Sequence, residues 1–281
     1  MIAVGLTMLA VARGQDSSGY APVGALKMYY EIHETSHDRV PLVLLHGGGS
    51  TIQTSFGAIL PLLCKDREVV AVELQGHGHT ADIDRPESFE QDADDVAALM
   101  HYLKIDKADF FGFSNGGGDA LQIAIRHPKL VRKLVVASAA FKRDAFSKQF
   151  WDRMEHGTLD DMPSALKEAY LKVAPHPNDL QVMFQEDRNR MLQFKDWPAD
   201  EIRSIESPVL IMNGDHDVVR PEHTIKMYRL LPHGRLAILP GAHGEYIGTA
   251  ETTKEGNKPP AAAASIIEGF LVEPMPQAAT K

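Results

Sequence analysis

Short uninterrupted apolar runs, separated by segments with a helical period, dominate the chain. GALKMYYEIHE (Gly24 to Glu34) alternates apolar and polar residues, as an exposed strand pair does. VPLVLL (Val40 to Leu45) instead runs without a polar residue into glycines, the pattern of a strand buried on both faces. The same signal recurs in REVVAVELQG (Arg67 to Gly76), ADFFGFS (Ala108 to Ser114), KLVVASAA (Lys133 to Ala140), PVLIMNGD (Pro208 to Asp215) and GRLAILPG (Gly234 to Gly241). These six buried strands predict a mainly parallel sheet. Between them, FEQDADDVAALMHYLKI places Phe89, Ala93, Val96, Ala97, Met100 and Leu103 on one helical face, and Ser88 with Gln91 predicts a capping box at its start. Strand and helix alternating in this way specify an α/β, doubly wound sheet whose ligand crevice lies beyond the carboxyl ends of the strands. The residues just after each strand therefore carry the chemistry.

One segment breaks the rhythm. From Phe141 to Ser207 no strand-like run occurs, and SALKEAYLKVA and DLQVMFQEDRNRMLQF read as helices. This predicts an inserted helical lid over residues 141–207, flanked by a core of 16–140 and 208–281. Both tryptophans, Trp151 and Trp197, fall in the insertion, so its inner face is expected to be apolar, with Trp151 and Met154 as candidate pocket residues. The competing expectation is that these aromatics only fasten the insertion to the sheet. PPAAAASIIEGFL, with proline at its start, predicts a closing helix.

Composition narrows the classes. A chain of 281 residues fits one α/β domain with insertions, and 44% hydrophobic with 24% charged residues is globular. A net charge of -9 repels phosphate backbones and argues against a nucleic-acid partner. With Cys64 as the single cysteine, neither an intramolecular disulfide nor a thiolate cluster can form. The apolar run from Ile2 to Ala12 is too short to span a bilayer and ends in a small-residue AVA pattern, so residues 1–15 are expected to be an export signal. No other stretch approaches the length of a membrane span.

Gly112-Phe113-Ser114-Asn115-Gly116 follows an apolar strand directly and opens a helix, the setting of a nucleophile elbow. Its small neighbours allow strand and helix to pack against a strained serine turn, and the helix N-terminus supplies backbone N–H groups beside the reacting oxygen. A serine hydroxyl needs a base, and the base needs a carboxylate to orient it. Asn213-Gly214-Asp215-His216-Asp217 follows one buried strand and Pro240-Gly241-Ala242-His243-Gly244 the next, giving the order Ser, Asp, His. His46-Gly47-Gly48-Gly49-Ser50 follows another; a phosphate-cradling role is disfavoured because neither GxGxxG nor a Walker lysine is present. His77 and His79 alternate in a glycine turn, which lacks the spacing of a zinc pair.

From about Gly24 to Leu271 the chain resembles the α/β-hydrolase superfamily, on HGGGS, the QGHG turn, GFSNGG, the GDHD acid turn and the PGAHG histidine turn. The resemblance implies Ser114 as nucleophile, His243 as base and Asp217 as the orienting acid, with Asp215 as the rival acid. It also implies that the N–H groups of Gly48 and Asn115 hold the oxyanion, each contributing about 3 kcal/mol to lowering the barrier. Where the family commonly shows Asp-x-Arg-Gly-x-Gly-x-Ser, this chain has Glu73 to Thr80 without the arginine or serine. The expected activity is cofactor-independent and metal-free hydrolysis of a small-molecule carboxylic ester or lactone, with macrolide lactones among the substrates the resemblance suggests. Carbon–carbon hydrolysis, peptidase or perhydrolase chemistry on the same triad, and a receptor without turnover, are the alternatives. Ser114 argues against the branches that use an aspartate nucleophile.

Overall fold

The computed structural model describes residues 16–33, 39–252 and 260–276. Strands β1 (Ser17–Val23), β2 (Leu26–His33), β3 (Leu42–Leu45), β4 (Val69–Glu73), β5 (Ala108–Phe113), β6 (Val131–Ala137), β7 (Val209–Gly214) and β8 (Gly234–Leu239) form one sheet. Their order is β1-β2-β4-β3-β5-β6-β7-β8. β2 pairs antiparallel with β1 and with β4, and every pairing from β4 through β8 is parallel. Strands β3, β4, β5 and β7 are buried along their whole length, as their unbroken apolar runs require.

Two expectations change. The strand pair lies over 17–33 rather than 24–34: Ser17–Val23, which carries no apolar run, pairs with Leu26–His33 through a two-residue turn. Gly24 supplies the left-handed φ of +58° that such a turn needs. β8 is not buried on both faces. It is the last strand of the sheet, and its residues are half-buried or exposed.

Helices α1 (Ile52–Phe56), α2 (Leu60–Leu63), α3 (Phe89–Tyr102), α4 (Asn115–Arg126), α5 (Lys148–His156), α6 (Ser164–Val173), α7 (Leu180–Gln193), α8 (Ala199–Arg203), α9 (Pro221–Leu230) and α10 (Ala261–Val272) cover the sheet. One core joins Val43 and Phe110 to Val96 of α3, Ile123 of α4 and Met227 of α9. The other joins Leu44 and Phe111 to Phe56 of α1 and Ile267 of α10. The sheet thus has helices on both faces, which is the doubly wound arrangement. Helices α5 to α8 all fall between β6 and β7, where the sequence predicts an insertion. Among the described residues no helix is long and apolar enough to cross a membrane. The expected export signal lies outside them.

Helix α3 forms half of its expected capping box. The Gln91 N–H donates to Ser88 Oγ at 3.1 Å, but the Gln91 side chain turns to Asp95 Oδ1 at 2.9 Å. Its inner face carries buried Asp92 and Asp95 beside the apolar residues, while Ala97 is only half-buried.

At the amino ends of the strands, away from the glycine loops, Arg67 is 1% exposed and ties the sheet to α10. It donates to Glu268 Oε1 at 3.1 Å and Oε2 at 2.9 Å, and to Asp109 Oδ2 at 3.3 Å. Removing a charged hydrogen-bond donor from a buried carboxylate costs stability even where a second donor remains. Arg132 still donates to Asp109 when Arg67 is removed, so Arg67→Ala is expected to lower stability by about 1.5–3 kcal/mol, read as a shift of the urea unfolding midpoint.

Candidate active site

Ser114 sits between β5 and α4 with φ 54° and ψ −118°, a conformation that costs an ordinary residue about 1–3 kcal/mol. The sheet and helix hold it there: its N–H donates to the Ala137 carbonyl at 2.8 Å, and its carbonyl accepts from Gly117 at 2.9 Å and Gly118 at 3.2 Å. The glycines around it are a steric requirement. A Cβ on Gly112 would overlap the Gly116 carbonyl, and one on Gly116 would overlap the carbonyls of Leu45 and His46.

His243, four residues beyond β8, brings Nε2 to 3.0 Å from Ser114 Oγ, and its Nδ1 lies 2.7 Å from Asp217 Oδ1. The carboxylate can only accept, so Nδ1 carries the proton and Nε2 is free to accept from the serine. Burial disfavours the imidazolium, but the charge and hydrogen bond of Asp217 outweigh it, and the His243 pKa is raised above its ordinary 6.5. Burial likewise works against ionised Asp217, whose side chain is 0% exposed. His243, Ser138 and the Val219 N–H overcome that penalty and hold its pKa below the usual carboxylate range. The rival acid, Asp215, is exposed and accepts from the Gly241 N–H at 2.8 Å, without a contact to His243.

Ser138 is a residue the sequence reading missed. It follows β6 with φ 54° and donates to Asp217 Oδ2 at 2.5 Å, so Tyr246, 2.7 Å away, donates its hydroxyl to Ser138 Oγ. Its position after a buried strand was the available signal. Nothing in the sequence marks which acid it would meet.

In the glycine loop, Gly47 donates to Ser55 Oγ at 3.1 Å and Gly49 points its N–H at His77 Nε2 at 3.2 Å. The Gly48 N–H meets no acceptor among the described residues. Asn115 is the first residue of α4, so its N–H has no partner within the helix either. His46 fixes the loop from below: Nδ1 donates to the Gly47 carbonyl at 2.8 Å and Nε2 accepts from Leu74 at 3.1 Å. Burial, the largest influence, pushes its pKa down to about 3, in keeping with a neutral ring. His77 and His79 do separate work. His77 Nδ1 donates to the Gln75 carbonyl at 2.7 Å, while His79 lies 2.8 Å from Glu73 and stacks on Tyr29.

Above Ser114 lies a cavity of about 310 Å³, reached by Gly48, Asn115 and His243 and walled largely by apolar side chains of the inserted helices. Met154 lines it, with Phe146, Phe150 and Met162. Trp151 does not. Its ring packs on the Arg143 guanidinium at 3.7 Å and its Nε1 donates to the Arg143 carbonyl, because α5 turns Phe150 and Met154 toward the cavity and Trp151 away. Trp197 is buried against Phe89 and Phe194. Both tryptophans fasten the inserted helices rather than face a ligand.

The model of the alpha/beta hydrolase family matches residues 42–246, and the chain belongs to that family. Over 255 residues, 82% of this chain and 78% of the other, it is 29% identical to pimeloyl-[acyl-carrier protein] methyl ester esterase from Neisseria meningitidis. It is 36% identical to 2-hydroxymuconate semialdehyde hydrolase from Pseudomonas sp. (strain CF600) over 106 residues, a match spanning only 36% of each chain. Among solved structures, the enol-lactonase from Burkholderia xenovorans LB400 superposes with a TM-score of 0.71 at 23% identity, over 90% of this chain and 100% of that one. The family and the sequence relatives agree on a hydrolase.

The pH profile follows from His243. Catalysis by a neutral imidazole is lost as pH falls through its pKa, so the acid limb of kcat/KM is expected above 6.5. Asp217→Asn removes the charge that raises this pKa; the limb then moves to lower pH and kcat falls by about three to four orders of magnitude. Asp215→Asn is expected to change neither, in parallel pH–rate measurements.

Proposed function

We propose that the chain is a serine hydrolase of compact carboxylic esters or lactones. The observation that carries the reading is the continuous relay from Ser114 Oγ through His243 to Asp217, at 3.0 and 2.7 Å. Ser114 Oγ attacks the carbonyl carbon while His243 Nε2 takes the hydroxyl proton. The carbonyl oxygen becomes an oxyanion facing the N–H groups of Gly48 and Asn115, and Asp217 stabilises the imidazolium. Collapse expels the alcohol, which leaves with the proton from His243. Water then repeats the sequence on the acyl-enzyme and releases the acid.

The identity to a methyl ester esterase over most of both chains favours an ester. A cavity of about 310 Å³ lies at the low end for small-molecule sites, which favours a compact substrate over a macrolide ring. In this reading the helical insertion is the lid that shapes the acyl pocket. Hydrolysis of 2-hydroxymuconate semialdehyde is the second reading, favoured by the 36% identity to an enzyme of that name.

A serine-reactive phosphonate is expected to label Ser114, with p-nitrophenyl acetate hydrolysed by the wild type and not by Ser114→Ala. Labelling of any other serine would sink the assignment. A panel of short esters, lactones, macrolides and 2-hydroxymuconate semialdehyde then ranks the substrates. Preference for the semialdehyde replaces the ester reading with the second one, and labelling without turnover of any of them points to a receptor. Export is part of the proposal on the pattern of residues 1–15 alone. N-terminal sequencing from the native host is expected to find a chain starting between Arg13 and Ser18, and an intact Met1 refutes it.

A further inference from the structure

Asp187 of α7 is drawn from the inserted helices into the floor of the cavity, where it meets the two loops that supply the oxyanion donors. Its Oδ1 accepts from Asn115 Nδ2 at 2.9 Å, and its Oδ2 stands 3.5 Å from His77 Nε2, the atom at which Gly49 aims its N–H. Gly48 packs directly on this junction. A Cβ there would come within 2.5 Å of both Asn115 Nδ2 and Asp187 Oδ2. The carboxylate therefore accepts from the side chain of one proposed donor residue and leaves no room for a Cβ on the other.

A carboxylate beside a developing oxyanion would oppose catalysis if its charge stood alone. Arg190, on the same face of α7, donates to Asp187 Oδ1 at 2.5 Å and to Asp92 Oδ2 at 2.5 Å, with Glu87 at 3.4 Å. Arg190 is 4% exposed and Asp92 2%, so the pairing is out of reach of solvent screening. The carboxyl oxygens of Glu87 and Asp119 have no hydrogen-bond partner among the described residues. Burial pushes Glu87 up to about 8 and Asp119 well above the carboxylate range, and the hydrogen bonds of Arg190 go to Asp187 and Asp92. Arg190 and burial act oppositely on Asp187. Arg190 and His77 together overcome burial and hold Asp187 below the usual carboxylate range.

We propose that Asp187 is a positioning residue for the oxyanion hole, holding the Asn115 side chain, and so the orientation of the Asn115 N–H, against the Gly48 loop while Arg190 neutralises it. This rests on the reading of Ser114 as nucleophile. It makes the docking of α7 a condition for a complete oxyanion hole, linking a helix 72 residues away in sequence to the reacting oxygen. The role is not that of a catalytic residue, because Asp187 acts through Asn115.

The test is a double-mutant cycle of Asp187→Ala and Asn115→Ala, read by the rate of phosphonate labelling at Ser114 and by kcat and KM with p-nitrophenyl acetate. Asn115→Ala keeps the backbone N–H and removes only the held side chain. Each single variant is expected to lose about 10–100-fold in labelling rate and in kcat, with KM changed less than about threefold. The double variant is expected to lose no more than the worse single. Asp187→Asn, which keeps an acceptor for Asn115 Nδ2, is expected to recover most of the rate. Undiminished labelling in Asp187→Ala, multiplying losses in the double variant, or a loss confined to KM overturns the proposal. Should Asp187→Ala not fold, undiminished labelling in Asn115→Ala overturns it alone. A wild type that is not labelled at Ser114 is a different failure: it overturns the nucleophile reading and this proposal with it.

Discussion

The site depends on one strained residue. Ser114 stays at φ 54°, ψ −118° because β5 ends and α4 begins at the same point, with no room for the chain to relax. The glycines at 112 and 116 let the α4 backbone lie against β5 and β3, closer than any side chain would permit. That approach points Oγ out of the sheet toward His243 and leaves the Asn115 N–H, with the positive end of the helix, on the same side. The strain is small against the buried core on either side of the junction, which includes Phe110 and Phe111 of β5 and Leu121 of α4.

Sheet order does the rest of the assembly. β3, β5, β6, β7 and β8 are consecutive neighbours, and their carboxyl ends present Gly48, Ser114, Ser138, Asp217 and His243 in that order. Adjacent strands are about 4.8 Å apart, so a group beyond β8 begins roughly 14 Å from one beyond β5. The loops after β7 and β8 therefore have to fold back across the strand ends. Ser138, with its own left-handed φ, braces Asp217 at the midpoint of that span, and Tyr246 braces Ser138.

This geometry explains what could be read in the sequence. Parallel strands buried on both faces leave continuous apolar runs, and a polar residue that follows such a run stands out. Ser114, Asp217 and Gly48 were legible for that reason, and His243 because the apolar residues of β8 leave a similar run. β1 was not, because SSGYAPV carries no apolar run, and its pairing rests on the turn at Gly24. β8 was overread as buried, since its apolar residues cover only the last edge of the sheet. Trp151 and Met154 are three residues apart on α5, and the sequence could not say how the helix is rotated. Packing on Arg143 turns Trp151 away while Met154 reaches the cavity.

Asp187 was illegible for a deeper reason. It looks like one of two adjacent acids on a charged helix, and its partners Asn115 and His77 lie far back in the chain. Burying such a group is costly, and apolar side chains of similar volume would often give equal or greater stability. Stability alone therefore does not account for a guanidinium surrounded by four carboxyl groups under the glycine loop. Orientation does: a charged hydrogen bond to Asn115 is directional, whereas an apolar contact would leave that side chain free to turn. The accompanying charge requires a counter-charge, since two like charges about 5 Å apart repel by roughly 3 kcal/mol at an effective dielectric constant of about 20. Arg190 meets that requirement from the same helix, so the element that brings the carboxylate to the site also brings the cation that makes it tolerable there.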